Sequence, residues 1–164
     1  MTEEQAELVD AVGRIVARFG EEYWRGKDRD HAFPHEFADA MAAGGWLGIA
    51  MPEGMGGAGL GVTEAALMME RVAHSPGAMA AASSIHINIF GLHPVVVFGT
   101  EDQRRRFLPP LIRGEERGCF GVTEPDAGLD TGRLKTRAVR DGDHYVISGR
   151  KIWTSTAQQA DRVL

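Results

Sequence analysis

The sequence predicts an α+β protein: an all-α helical bundle over residues 1–116, followed by the first strands of an antiparallel β domain over residues 117–164. Three observations predict it. Apolar residues recur at helical spacing up to about Gly114, then in alternation or short runs from Gly118 onward. Thr2–Gln5 and Thr100–Gln103 are spaced as capping boxes. Asp141-Gly142-Asp143 lies as a turn between two β-like runs.

The first helix follows from Leu8, Val12, Ile15, Val16 and Phe19, opened by the Thr2 box. A second short helix is expected from Pro34 to Ala43, with Phe37 and Met41 one turn apart and Gly44-Gly45 stopping it. A glycine-rich connector leads to a helix over Val62–His74. Pro76-Gly77 breaks the chain before another helix over Ala78–Leu92. The Thr100 box, with Glu101 and Asp102 in its first turn, opens a helix that runs into Pro109-Pro110. Gly118 to Val122 is short, apolar and aromatic, as a buried strand would be. It should end near Thr123, because Pro125 cannot donate to a ladder and Asp126-Ala127-Gly128 is turn material. Leu134–Arg140 and Tyr145–Ile147 read as a hairpin, and Lys151–Thr154 as a further strand. Val163-Leu164 reads as the first step of another buried strand. Three strands do not close a barrel or cover both faces of a sheet, so the chain reads as the front part of something longer.

Composition excludes several classes. With 43% hydrophobic and 25% charged residues, the balance is that of a globular protein. The net charge is -5, and Arg104-Arg105-Arg106 on a helix points three ways, so a nucleic-acid stripe is not expected. A single cysteine, Cys119, excludes an internal disulfide and fits a reducing, cytoplasmic setting. The acidic N-terminus lacks an apolar signal core. The longest apolar run, Ala78–Phe98, is broken by serine, histidine, asparagine and proline and reads as buried helix, not a membrane span.

Few motifs carry chemistry. Gly54-Met55-Gly56-Gly57-Ala58-Gly59 matches a dinucleotide fingerprint by letter. It follows Pro52-Glu53, not a strand, and its helix starts only after Gly61, so a connector is the better reading. The six histidines make no metal pattern, and no G-x-S-x-G elbow is present. Two clusters remain. The Thr123 loop gathers a hydroxyl, main-chain N–H groups and Gly128; it suits a polar ligand, and it also suits a plain turn. In Lys151-Ile152-Trp153-Thr154-Ser155-Thr156, strand geometry would put Trp153 and Ser155 on one face. That pair fits a flat heteroaromatic ligand as well as a core tryptophan beside ordinary β-rich threonines.

The run "CFGVTEPDAGLDTGRLKTRAVRDGDHYVISGRKIWTST" resembles the flavin-binding middle domain of the acyl-CoA dehydrogenase family. The resemblance extends upstream through "MPEGMGGAGLG" and "HPVVVFGTEDQRRRFLPPLIRGE", covering nearly the whole chain. It implies an acyl-CoA dehydrogenase-like fold in truncated form: an N-terminal helical domain and the opening part of a middle β domain, without the family's C-terminal bundle. It also implies FAD-dependent oxidation of an acyl-CoA thioester, with an electron-transfer flavoprotein as acceptor and a homo-oligomeric, tetrameric assembly. An acyl-CoA oxidase or a flavin monooxygenase of the same fold, and a non-catalytic helical interaction module, are the competing readings.

By this resemblance Phe120, Val122 and Thr123 would lie along the pyrimidine edge of the flavin, and Gly128 would let the backbone approach the diphosphate. Trp153 would cover one ring face and Ser155 would reach N5. Leu129 stands where the family usually has serine or threonine, leaving only a backbone N–H to offer. Ser155 replaces a commoner threonine, and Thr156-Ala157 a common asparagine-glycine. Ser83, His86 and Phe90 would share a helix face toward the substrate. The family's catalytic glutamate usually lies in the C-terminal bundle, so no catalytic residue is assigned. The chain alone is expected to be inert toward acyl-CoA and weak toward FAD.

Overall fold

The computed structural model describes residues 1–164. Its helices are α1 (Glu3–Val16), α2 (Glu21–Arg29), α3 (His35–Ala43), α4 (Val62–Ala73), α5 (Ala78–Phe90), α6 (His93–Phe98) and α7 (Glu101–Ile112). Both capping boxes form. Thr2 Oγ1 accepts from Gln5 N at 3.2 Å while Gln5 Oε1 accepts from Thr2 N at 2.9 Å, and Thr100 and Gln103 repeat the exchange. Gln5 also donates to Glu64 at 2.9 Å, pinning the start of α1 to the start of α4.

Two helices escape the sequence reading: α2, and the short α6, which follows the expected end of the Ala78–Leu92 helix and has no buried residue. Glu21–Arg29 carries a single buried residue, Trp24, so no apolar stripe announces it. Acids in its first turn and bases in its last oppose the helix dipole, and the Trp24 indole N–H donates to Phe19 O at 3.1 Å. The core that α2 closes is continuous. Val12, Phe37, Met41, Met68, Val72 and Ile85 are among its fully buried members, and Phe37 meets Phe19 and Trp24 edge-on at 5.4 and 5.2 Å. A smaller cluster, Met51, Leu92, Leu108, Leu111 and Ile112, lies beside it.

The glycine-rich stretch is a connector, and α4 begins only after Gly61. Ala58 N, Gly59 N and Leu60 N donate back to Gly48, Met51 and Ile49, so the loop is stitched to the chain before it. A side chain at Gly57 would collide with the Met51 carbonyl, and Gly56 has φ of 91°. The run Ala78–Phe98 has a mean hydropathy of 1.4 and a length that could cross a membrane. It is divided here into α5 and α6, and Ala81, Ala82, Ile85, Ile87, Asn88 and Ile89 of α5 are buried within the protein. The helix expected to run into the proline pair continues past it to Ile112. α7 passes through Pro109 and Pro110, and Arg113 N and Glu115 N donate to their carbonyls at 3.0 and 2.9 Å. Both prolines sit in the last turn of α7, where each forfeits the bond its own N–H would have made and the helix ends at Ile112.

The β portion is sparse. β1 (Gly118–Cys119) pairs with β4 (Arg162–Val163) in parallel, and β2 (Arg137–Asp141) pairs with β3 (His144–Ser148) antiparallel through the Gly142-Asp143 turn. The hairpin is the one predicted; the parallel pairing of β1 is not. The strand expected over Gly118–Val122 is two residues long, and Val163, expected to be buried, is exposed. Every residue of β2 and β3 is exposed, so the hairpin has no covered face. Lys151–Thr154 is not a strand. Its one backbone tie is Ile152 N to Thr123 O at 2.9 Å, and Trp153 and Thr156 have φ of 57° and 61°. With no ladder to hold it extended, the segment turns.

Helices and strands meet at Asn88 on α5. Its Oδ1 accepts from Gly118 N at 3.2 Å, and its Nδ2 donates to the Leu111 and Glu116 carbonyls at 3.4 and 3.3 Å. A buried amide thus satisfies three backbone groups at the seam. Arg162 and Glu116 add a bidentate pair at 2.9 and 2.7 Å.

Candidate functional site

The site begins where β1 ends. After Cys119 the chain runs through Phe120–Thr123 into a tight turn closed by two bonds, Glu124 N to Ala127 O and Ala127 N to Glu124 O, at 2.9 and 3.1 Å. The turn leaves donors unspent. The backbone N–H groups of Val122, Thr123, Gly128 and Leu129 donate to no backbone acceptor in the chain. A side chain built on Gly128 would meet nothing within 4 Å, so packing inside the chain does not explain its glycine.

Two of the residue groups expected from the sequence come together on each side of this turn. On α5, Ser83 and His86 are half-buried, and His86 Nδ1 lies 3.0 Å from the Ser83 carbonyl, to which an N–H there donates. The His86 and Phe90 rings are 5.7 Å apart, and Phe90 reaches the Phe120 ring at 6.2 Å, edge-on. The α5 face and the end of β1 are therefore one aromatic surface. On the other side, Lys151-Ile152 runs against Val122–Glu124, bringing the chain leading to Trp153 beside Thr123.

The remaining residues stand more freely. Leu129 and Ser155 are exposed, and Trp153 is 86% exposed. Alternation cannot place Trp153 and Ser155 on one face, because the segment is not a strand and Trp153 has left-handed backbone. That geometry is rare for a bulky side chain.

Glu124 stands out among the residues of the turn. It is only 6% exposed. Its Oε2 accepts from Lys135 N at 2.7 Å and its Oε1 from Thr136 N at 2.9 Å and Lys151 Nζ at 3.0 Å. Lys151 Nζ also donates to Val122 O at 2.9 Å. No local spacing signals this, since the partners lie 11, 12 and 27 residues away. The adjoining Thr136 side chain, then the N–H groups of Lys135 and Thr136, then Lys151, hold the Glu124 carboxyl down to about 2 from an ordinary 4.5. Thr136 Oγ1 itself makes no well-formed hydrogen bond, so the two N–H groups and the ammonium are the bonds that hold the carboxylate. A depressed carboxyl stabilises the fold above its unfolded value and loses that contribution as pH falls through the folded one. The Lys135 and Thr136 amide resonances should therefore hold steady down to about pH 4 and move with a midpoint near 2. A midpoint near 4.5 would show the carboxyl to be free.

A concavity of about 670 Å³ lies elsewhere. Glu21, Trp24, Lys27, Asp28, Pro76 and Ala80 are among its lining residues, with charges of both signs. Ala80 and Phe90 are about 15 Å apart along α5, so this hollow lies at the opposite end of the helix from the aromatic surface.

A helical domain is thus joined at Asn88 to a strand–turn that presents free main-chain donors near exposed aromatics. Residues 2–115 match the family model for the acyl-CoA dehydrogenase N-terminal domain, and residues 119–164 that for the acyl-CoA dehydrogenase middle domain. The chain belongs to the acyl-CoA dehydrogenase family. It is 37% identical to acyl-CoA dehydrogenase FadE12 of Mycobacterium tuberculosis over 99% of its own length and 42% of that protein's. To the mitochondrial isovaleryl-CoA dehydrogenase of Pongo abelii it is 35% identical, over 98% of this chain and 38% of the relative. Among solved structures, a glutaryl-CoA dehydrogenase from Mycobacterium smegmatis in complex with FADH2 superposes with a TM-score of 0.84 at 27% identity, covering 99% of this chain and 42% of that one. The chain spans about two-fifths of the length of these relatives.

Proposed function

We propose that these 164 residues form the helical wall and part of the flavin cradle of an FAD-dependent acyl-CoA dehydrogenase, which removes hydrogen from the α and β carbons of an acyl-CoA thioester. The observation that carries this reading is the set of free N–H groups at Val122, Thr123, Gly128 and Leu129, set beside the exposed rings of Phe120 and Trp153. The donors suit the carbonyl-bearing edge and the phosphates of the cofactor, the rings suit its flat apolar faces, and open space at Gly128 admits close approach. When bound, FAD supplies a hydride acceptor.

The chain's own residues bind and orient. Ser83, His86 and Phe90 on α5 form the wall toward the acyl group, joined to the flavin side through Phe120. Ser155 offers a hydroxyl toward the cofactor. Leu129, lacking a hydroxyl, leaves its N–H as the donor at that position. Glu124 does not serve as the base. A carboxylate saturated by N–H donors and an ammonium and held to about 2 takes up a proton poorly. By resemblance to the family, the base would lie in another part of the full-length polypeptide. An electron-transfer flavoprotein as acceptor, a homo-oligomeric assembly and a cytoplasmic location complete the reading; the last is supported by Cys119, which is buried and unpaired.

Trp153→Ala in the full-length polypeptide is expected to raise the FAD dissociation constant about tenfold, the equivalent of one stacked aromatic face. Fluorescence titration of apoprotein reads it directly. Unchanged affinity would remove Trp153 from the cofactor's surroundings.

A further inference from the structure

We propose that Glu124 and Lys151 are positioning residues: their buried contact fixes the spacing between the Val122–Thr123 segment and the Ile152–Ser155 segment, so that two separate groups of cofactor-contacting residues act as one site. The proposal rests on the flavin-cradle reading for its consequence, though not for its geometry.

Glu124 is the point at which three distant stretches of chain converge. It belongs to the turn after β1. Its carboxylate takes N–H groups from Lys135 and Thr136 at the entry to β2, and the ammonium of Lys151 beyond β3. Lys151 then returns to the first segment through Val122 O. In a finished sheet, ladder bonds would hold such segments in register. Here the Lys151–Thr154 stretch has one ladder-like bond, Ile152 N to Thr123 O, and no strand pairing. The hairpin between the two segments is exposed throughout and lends no packing. Side-chain bonds to a buried carboxylate thus take over the task that a ladder would perform. The stakes are high in such an arrangement, because a buried charge that loses its partner is costly.

What the pair controls is the placement of Trp153. Trp153 is 86% exposed and has left-handed backbone, so neither packing nor secondary structure sets its position. Its neighbours Lys151 and Ile152 are held to Val122, Thr123 and Glu124, and those bonds carry the tryptophan's location relative to the free donors of the turn. Loosening the pair would leave each residue chemically intact while spoiling their joint geometry.

Two measurements test this. In the 164-residue chain, amide hydrogen exchange is compared among the unaltered protein, Lys151→Met and Glu124→Gln. The informative probe is Ile152 N–H, whose bond neither variant removes directly. It should exchange at least tenfold faster in both, while amides in α1, α4 and α5 keep their rates. An unchanged Ile152 rate overturns the proposal, and so does loss of protection throughout the helices, which would make the pair a general fold determinant. Should Glu124→Gln fail to fold, Lys151→Met alone decides.

The second measurement uses the full-length polypeptide and FAD titration. Lys151→Met should weaken FAD about tenfold, and the double variant Lys151→Met/Trp153→Ala should be no weaker than Trp153→Ala alone, because Lys151 acts through Trp153. Losses that multiply would overturn that route. If the unaltered polypeptide binds no FAD, the flavin reading fails, while the exchange data still judge the coupling of the two segments.

Discussion

Phe37→Ala should cost the helical domain about 3–5 kcal/mol, the range for removing a fully buried aromatic ring. Phe37 is completely shielded from solvent and is the hub of the edge-on contacts with Phe19 and Trp24. Neither neighbour can collapse into the space. Trp24 is fixed by its indole bond to Phe19 O, and Gly77 lies so close against its ring that any side chain there would overlap it. Urea unfolding followed by far-ultraviolet circular dichroism measures the loss. Because small domains retain only about 5–15 kcal/mol in total, a large unfolded fraction at 37 °C is expected. A loss below about 1 kcal/mol would show that α2 and α3 repack freely, contrary to the geometry.

Asn88→Ala should be the second largest effect, of about 2–3 kcal/mol, and of a different kind. The substitution strands the buried Gly118 N–H and withdraws a donor from the Leu111 and Glu116 carbonyls. An orphaned buried donor costs about 1–3 kcal/mol. These groups belong to β1 and to the end of α7 with the residues after it, so the variant should uncouple the β portion from the helices. Protection of Gly118 and Gly121 amides should drop while α4 and α5 stay protected. An equal loss in both regions would mean that Asn88 supports the core and not the seam.

Legibility in the sequence followed the source of each element's stability. Helices α1 and α7 announce themselves through capping boxes, and α4 and α5 through apolar periodicity between glycine and proline breaks, all of which are local signals. Helix α2 is silent because it buries one residue and is held from a distance by the Trp24 contacts. The candidate site divides the same way. Gly128 and the turn were visible, as was the pairing of Ser83, His86 and Phe90 on one helix face. The union of that face with Phe120 was not, since it arises from how α5 meets β1. Glu124 and Lys151 were invisible as a pair, because 27 residues separate them and nothing local distinguishes either. The strand assigned to Lys151–Thr154 was a propensity reading, and propensity yields where there is no neighbouring strand to pair with.

The parallel pairing of β1 with β4 implies an order of assembly. Gly118 meets Arg162, 44 positions further along the chain, and closing a loop of that length costs about 3 kcal/mol in chain entropy. The return is a ladder of two residue pairs, too little to nucleate by itself. The helices instead fold on short-range contacts, and α5 and α7 present the Asn88 side chain and the α7 carbonyls before β1 arrives. The strand ends then dock on a finished surface, with Arg162 reaching Glu116 as the closing contact. Destabilising substitutions in β4 should therefore quicken unfolding and leave the refolding rate of the helices untouched.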